Sequence, residues 1–252
     1  MRKLMLLVAM AAPFAQAQSL EVAPQSMLRL PNKSASVHLE HLRVADSATL
    51  LLPATLTELK IDQLELGRDA RIAIAPSDVA LRIEARRARL GEGSEFSAPG
   101  APGTYQRAAR SGRSLDLKLD AVDAERLAID ARGGAGAPGY VGLDGANGQA
   151  GGCTWGQASR GANGDDGGNG HDGAPGGRVR LSLPQGFAQE RIVVRLEGGV
   201  AGKAGAAGKA GKGGASKGCL VYRTDAGASG RAGQPGQPGL AGAAGELILQ
   251  PL

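Results

Sequence analysis

The sequence predicts an all-β fold in two parts: a short right-handed β-solenoid, then a small β-sheet carrying a four-membered antiparallel bundle of polyglycine-II helices. Three observations lead there. Across residues 37–96, apolar and polar residues alternate in short segments that recur every 22 residues. After residue 132, glycine returns at every third position in four separate runs. Aromatic residues make up only 3% of the chain while glycine accounts for 41 of 252, so the second half lacks the bulky side chains of an ordinary core.

The chain opens with an export leader over 1–17. Arg2 and Lys3 give it a positive start, residues 4–12 an apolar centre, and Ala15-Gln16-Ala17 a small-x-small cleavage site. No cysteine stands at that site for a lipid anchor. No later stretch approaches the roughly 18 apolar residues of a membrane helix. The expected product is therefore exported, to the periplasm, the cell surface or beyond, with no membrane span. The whole chain carries a net charge of +5, and losing Arg2 and Lys3 lowers it by two, to +3. That balance is too weak to argue for nucleic acid.

Residues 18–132 form the predicted solenoid. Val37, Leu59 and Leu81 correspond in the 22-residue repeat, as do Leu39, Ile61 and Ile83, then Val44, Leu66 and Ala88, then Leu52, Ile74 and Phe96. A carboxylate follows the second position each time, at Glu40, Asp62 and Glu84, and is expected to stack as an outward polar ladder. Alternation within each repeat points to strands. After an insertion the pattern returns at Leu117-Lys118-Leu119-Asp120. The insertion, 97–114, holds Tyr105, Arg107, Arg110 and Arg113. It reads as a basic loop hanging off the stack, either simply solvated or meeting an anionic glycan or lipid headgroup.

Residues 133–252 hold the glycine runs, at 133–151, 161–176, 199–214 and 227–245. Triplet glycine sets a helix of three residues per turn with one bare edge, where another backbone can approach. The break between the middle runs reads as an antiparallel hairpin: 178–183 alternates, Pro184-Gln185-Gly186 turns, and 191–196 is the second strand. On that reading the other two breaks meet at one far tip. Each carries a cysteine, Cys153 or Cys219, and one disulfide can join them. In run two the edge of Asn163, Asp166, Asn169 and Asp172 is expected to face the lysine edge of run three, Lys203, Lys209 and Lys212.

At this level the second half resembles bacterial collagen-like proteins. Its runs joined by loops and strands are similar to the single-chain polyglycine-II bundles of phage tail-fibre tip adhesins and of the glycine-rich N-terminal domain of Obg-type GTPases. There is no P-loop motif, so GTPase activity does not carry over. In the phage adhesins the distal loops bind the host, which by resemblance makes the tip loops here candidate binding elements.

The candidate binding residues at the tip are Trp155, Arg160, Leu220, Val221, Tyr222 and Arg223. The blander alternative is an apolar plug packed on the disulfide. His38, His41 and His171 share no cluster with the cysteines, so neither a metal nor a cofactor is expected. Gly167-Gly168-Asn169-Gly170-His171-Asp172 matches the start of a calcium nonapeptide once, without the large apolar residue. The leading functional expectation is a non-catalytic structural or binding protein that meets a protein or glycan surface, with a monomer left open. The alternatives are a small enzyme acting on polysaccharide and an oligomeric collagen-like matrix protein.

Overall fold

Alternating apolar residues make strands wherever one face can be buried. The computed structural model describes residues 18–31, 34–154 and 156–252. Its strands are β1 (Ser19–Val22), β2 (Met27–Arg29), β3 (Ser36–Val44), β4 (Thr49–Leu52), β5 (Glu58–Leu66), β6 (Arg71–Ile74) and β7 (Leu81–Leu90). They continue with β8 (Glu95–Ser97), β9 (Leu115–Leu119), β10 (Val122–Ala124), β11 (Leu127–Asp130), β12 (Arg178–Leu183), β13 (Ile192–Arg195) and β14 (Glu246–Pro251). A 3-10 turn spans Gln189–Arg191. The leader expected over 1–17 lies outside the described residues. Among the described residues, no helix is long and apolar enough to cross a membrane.

The strands form two parallel sheets around one core. The first runs β1-β3-β5-β7-β9-β12-β14, with β10 also paired to β7; the second runs β13-β11-β8-β6-β4-β2. This corrects the predicted fold class, a short right-handed β-solenoid followed by a small sheet with an antiparallel bundle. No separate small sheet forms for the glycine-rich half, because β12 pairs in parallel with β9, and β14 with β12, extending the first sheet. Nor is there a central antiparallel hairpin: β12 lies in the first sheet and β13 in the second. Pro184 to Gly186 begins a crossing between sheets. The turn residues are the same in either case, and Val179 and Leu181 of β12 and Ile192 and Val194 of β13 all pack into the one core from opposite sheets.

Inward side chains stack in rows. One row is Val37, Leu59, Ile83, Leu117, Leu181 and Leu249; its counterpart in the second sheet is Leu28, Leu50, Ile72, Phe96, Ile129 and Val194. The middle members are fully buried, each worth about 1.5–3 kcal/mol. Between β3 and β5 the register is 22 residues, as predicted, but between β5 and β7 it is 24. The turn at 75–80 supplies the extra length. Asp62 therefore meets Arg86 at 3.3 Å and Glu84 comes beside Lys60, so Glu84 leaves the expected ladder while Glu40 keeps its register with Asp62.

The glycine runs are enlarged turns. At one corner the chain passes from the second sheet back to the first through 53–57, 75–80, 98–114, 131–177 and 196–245. The last two passages each go out and return as a pair of runs. Glycine N–H groups bond every third residue to carbonyls of a neighbouring run: Gly136 to Val200 at 2.9 Å, Gly139 to Lys203 at 2.8 Å, Gly142 to Ala206 at 2.8 Å. The bundle is not simply antiparallel. Runs one and three are parallel, as are two and four, while consecutive runs are antiparallel. The closeness demands glycine: a Cβ at Gly205 would lie 1.9 Å from the Tyr140 carbonyl oxygen.

The predicted hanging loop at 97–114 is also packed. Gly100 donates to Arg132, just before run one, and Gly103 to Ala135 within it, both at 2.8 Å, and Gly112 donates to Pro175 at 3.0 Å.

Candidate binding tip

The far end of the glycine runs is assembled from two loops. In the first, Ser159 N–H donates to the Gln149 carbonyl at 2.9 Å and the Ser159 hydroxyl accepts Gln149 N–H at 2.7 Å. In the second, Lys217 and Thr224 exchange backbone and side-chain hydrogen bonds near 2.9 Å, Gly218 and Arg223 form an antiparallel bridge, and Cys219 N–H donates to Tyr222 at 2.7 Å. The result is a tight hairpin with Leu220 and Val221 at its point.

Two links fasten this hairpin to the first loop. Cys153 and Cys219 form the disulfide that the sequence led us to expect, with an S–S distance of 2.06 Å and Cα atoms 5.7 Å apart. The Tyr222 hydroxyl donates to the carbonyl of Cys153. Arg223 is tied back to the Ser216 hydroxyl at 3.0 Å. Leu220 and Val221 are 104% and 91% exposed and Tyr222 is 50% exposed, so the apolar pair projects and does not pack on the disulfide. Arg160 is exposed at the base of the first loop. Trp155, the remaining tip candidate, lies outside the described residues.

The residues of the insertion do not act as a set. Tyr105 and Arg107 are exposed at its turn, which the Thr104 and Arg107 backbones close. Arg110 pairs with Asp78 at 2.8 Å. Arg113 is 0% exposed. Its guanidinium donates to the carbonyls of Val79 at 2.9 Å, Ala75 at 3.2 Å, Pro53 at 3.4 Å and, most closely, Leu56. These carbonyls belong to the two preceding turns of the same corner. Burial pushes the Arg113 guanidinium below its ordinary value, but a guanidinium stays charged at any working pH. Arg113 is thus a corner plug, removed from the surface where an anionic ligand would be met.

The acidic edge of run two also has a backbone partner. Asn163, Asp166, Asn169 and Asp172 accept the N–H groups of Arg231, Gln234, Gln237 and Leu240 in run four, at 2.7–2.8 Å. The backbone N–H groups of Lys209 and Lys212 in run three donate to the side chains of Asp144 and Asn147 of run one. In the calcium-like stretch the Asn169 and Asp172 side chains therefore serve as acceptors for backbone N–H groups. Among the described residues, no group of three His, Cys, Asp or Glu could hold a metal ion.

One cluster escaped the sequence reading. Glu95 and Asp130 are buried on β8 and β11, adjacent inner strands of the second sheet. Arg71 meets Glu95 at 3.0 Å, Arg132 meets Asp130 at 2.8 Å, and Arg195 reaches both carboxylates. Burial alone would raise the Asp130 carboxyl; hydrogen bonds and charge from Arg132, with Arg195, outweigh it and hold the group below its ordinary value. Every charge here has a partner, so the cluster locks strand positions and offers nothing to a ligand. No protein-family model, curated protein or solved structure matches the chain.

Proposed function

We propose that this chain is a non-catalytic exported binding protein, in which the glycine runs hold out the tip hairpin and Leu220, Val221 and Tyr222 enter an apolar cleft on a partner protein. The observation that carries this reading is the exposure of Leu220 and Val221 on a hairpin fastened by a disulfide, a bridge and the Tyr222 hydroxyl. Leaving two aliphatic side chains in water forgoes about 1.5–3 kcal/mol each, which a partner cleft would recover. Pre-ordering of the hairpin lowers the entropy cost of binding. Lys217, Arg223 and Arg160 around the apolar point favour a cleft with an acidic rim. Aliphatic side chains suit a protein cleft better than a sugar face, which is met chiefly by aromatic rings. A formed disulfide fits an oxidising compartment and supports export. The use of distal loops parallels the phage tail-fibre adhesins that the sequence resembles.

The test is site-specific photocrosslinking in producing cells. A crosslinking residue at position 220 should give a discrete protein adduct, and the same residue at Gln237, on the side of run four, should not. Leu220→Asp with Val221→Asp should abolish binding to the captured partner. Equal crosslinking from both positions, or undiminished binding by the double variant, would overturn the reading.

A further inference from the structure

We propose that the molecule assembles head to tail with further copies of itself, the β13 and β14 end of one copy stacking on the β1 and β2 end of the next.

The two ends are complementary steps. The second sheet contains six strands, β2, β4, β6, β8, β11 and β13. The matching column of the first sheet also contains six, β3, β5, β7, β9, β12 and β14. The columns are staggered by one tier, however. At the far end β14 rises one tier above β13, with no described strand beside it in the second sheet. At the near end β2 lies one tier below β3, and β1 covers only the second half of β3, from His41 to Val44. Residues 36–39 have no described strand on that edge. A second copy translated by six tiers, about 29 Å at ~4.8 Å per strand, would fill both steps together. Its β2 would pair with β13, and its residues 36–39 with β14.

Side chains and backbone groups agree with that junction. Each row returns to its own kind. Leu249 would meet Val37, and Val194 would meet Leu28, continuing the inward rows. On the outer face of the second sheet, Met27 and Val193 end the same row and are 72% and 39% exposed. All the strands are parallel, so only a head-to-tail copy continues the pattern. Leu252 N–H bonds to Leu183, so by alternation the N–H groups of Leu247 and Leu249 point away from β12. Glu40 N–H bonds to Gln18, so those of Ser36 and His38 point out of the near end. Pro251 supplies no donor, which confines donation from β14 to Leu247 and Leu249. The turns at 53–57 and 75–80 of the next copy are short, so its body leaves the glycine runs clear. A heterologous contact of this kind generates an open filament. The proposal rests on removal of the leader expected over 1–17.

The test uses protein that begins at Gln18 and carries Met27→Cys, Val193→Cys or both. In-register neighbours on adjacent strands place their Cα atoms within disulfide range. Under mild oxidation the double variant should form a covalent ladder of multimers. Each single variant should stay monomeric, and a one-to-one mixture of the two should stop at the dimer. Filaments of the unsubstituted protein should show an axial repeat near 29 Å by electron microscopy. Dimers from either single variant would show a two-fold contact instead. A double variant that keeps its Cys153–Cys219 bond and strand signal but never links would also overturn the proposal.

Discussion

The carboxylate of Asp172 accepts the backbone N–H of Leu240 at 2.7 Å, across 68 residues of sequence. The same relation recurs along the two runs through Asn169, Asp166 and Asn163. Run four uses its glycine N–H groups on run three, leaving its intervening N–H groups to these side chains.

Replacing Asp166 and Asn169 together by alanine should cost about 2 kcal/mol, at roughly 1 kcal/mol for each lost bond. Hydrogen exchange should quicken at the Gln234 and Gln237 amides before it does elsewhere. Asp166→Asn keeps an acceptor and should leave exchange at Gln234 nearly unchanged.

Arg113→Ala should destabilise the fold by about 3–5 kcal/mol in urea denaturation. It strands carbonyls of Pro53, Leu56, Ala75 and Val79 in a dry corner and opens a void there. Arg113→Lys should recover only part of the loss, since one ammonium cannot span four acceptors spread over two turns. Arg107→Ala, at the exposed turn of the same insertion, should change stability by less than about 0.5 kcal/mol.

Asp130 gives the fold an acid-side dependence with a definite sign. Its folded pKa lies below the ordinary carboxylate value. The stability it contributes is therefore fully present above the unfolded pKa of about 3.9. That contribution fades as pH falls from there through the lower folded value. Thermal unfolding followed from pH 6 to pH 2 should show this loss, and Asp130→Asn should flatten that part of the profile while lowering stability at pH 6.

The disulfide links the two loops across 66 residues. A loop of that length implies about 4 kcal/mol of stabilisation on the chain-entropy account. Cys153→Ser with Cys219→Ser should lower the unfolding midpoint and speed hydrogen exchange over 214–227. The core rows through Leu59 and Ile72 should keep their protection.

What the sequence made legible, and what it hid, follows from parity and chemistry. Glycine spacing marked the four runs, and one cysteine in each outer break marked their junction. Alternation placed Leu39, Ile61 and Ile83 in the core, yet gave the wrong row for Ile83. The two extra residues in the turn at 75–80 keep every side chain on its own face while shifting the register, so no hydrophobic pattern records them. Arg113 sits among Arg107 and Arg110, and nothing in residue type separates a plug from a solvated charge. Only the stacked carbonyls of distant turns identify it. The tip hairpin had one overlooked trace, Lys217 and Thr224 set symmetrically about Leu220 and Val221.

The glycines themselves divide by what surrounds them. Gly205 and Gly218 both stand in the second half, and a triplet pattern alone ranks only the first as constrained. A Cβ at Gly205 would fall 1.9 Å from the Tyr140 carbonyl oxygen and 2.9 Å from the Gly168 nitrogen, backbone atoms that cannot swing aside. The same atom at Gly218 meets nothing within 4 Å. Gly205→Ala should therefore force runs one, two and three apart at their middle, lowering the melting temperature and accelerating exchange at Gly139, Gly142 and Gly168. Gly218→Ala should leave both unchanged. Equal tolerance of the two substitutions would mean that contact between backbones does not order these runs.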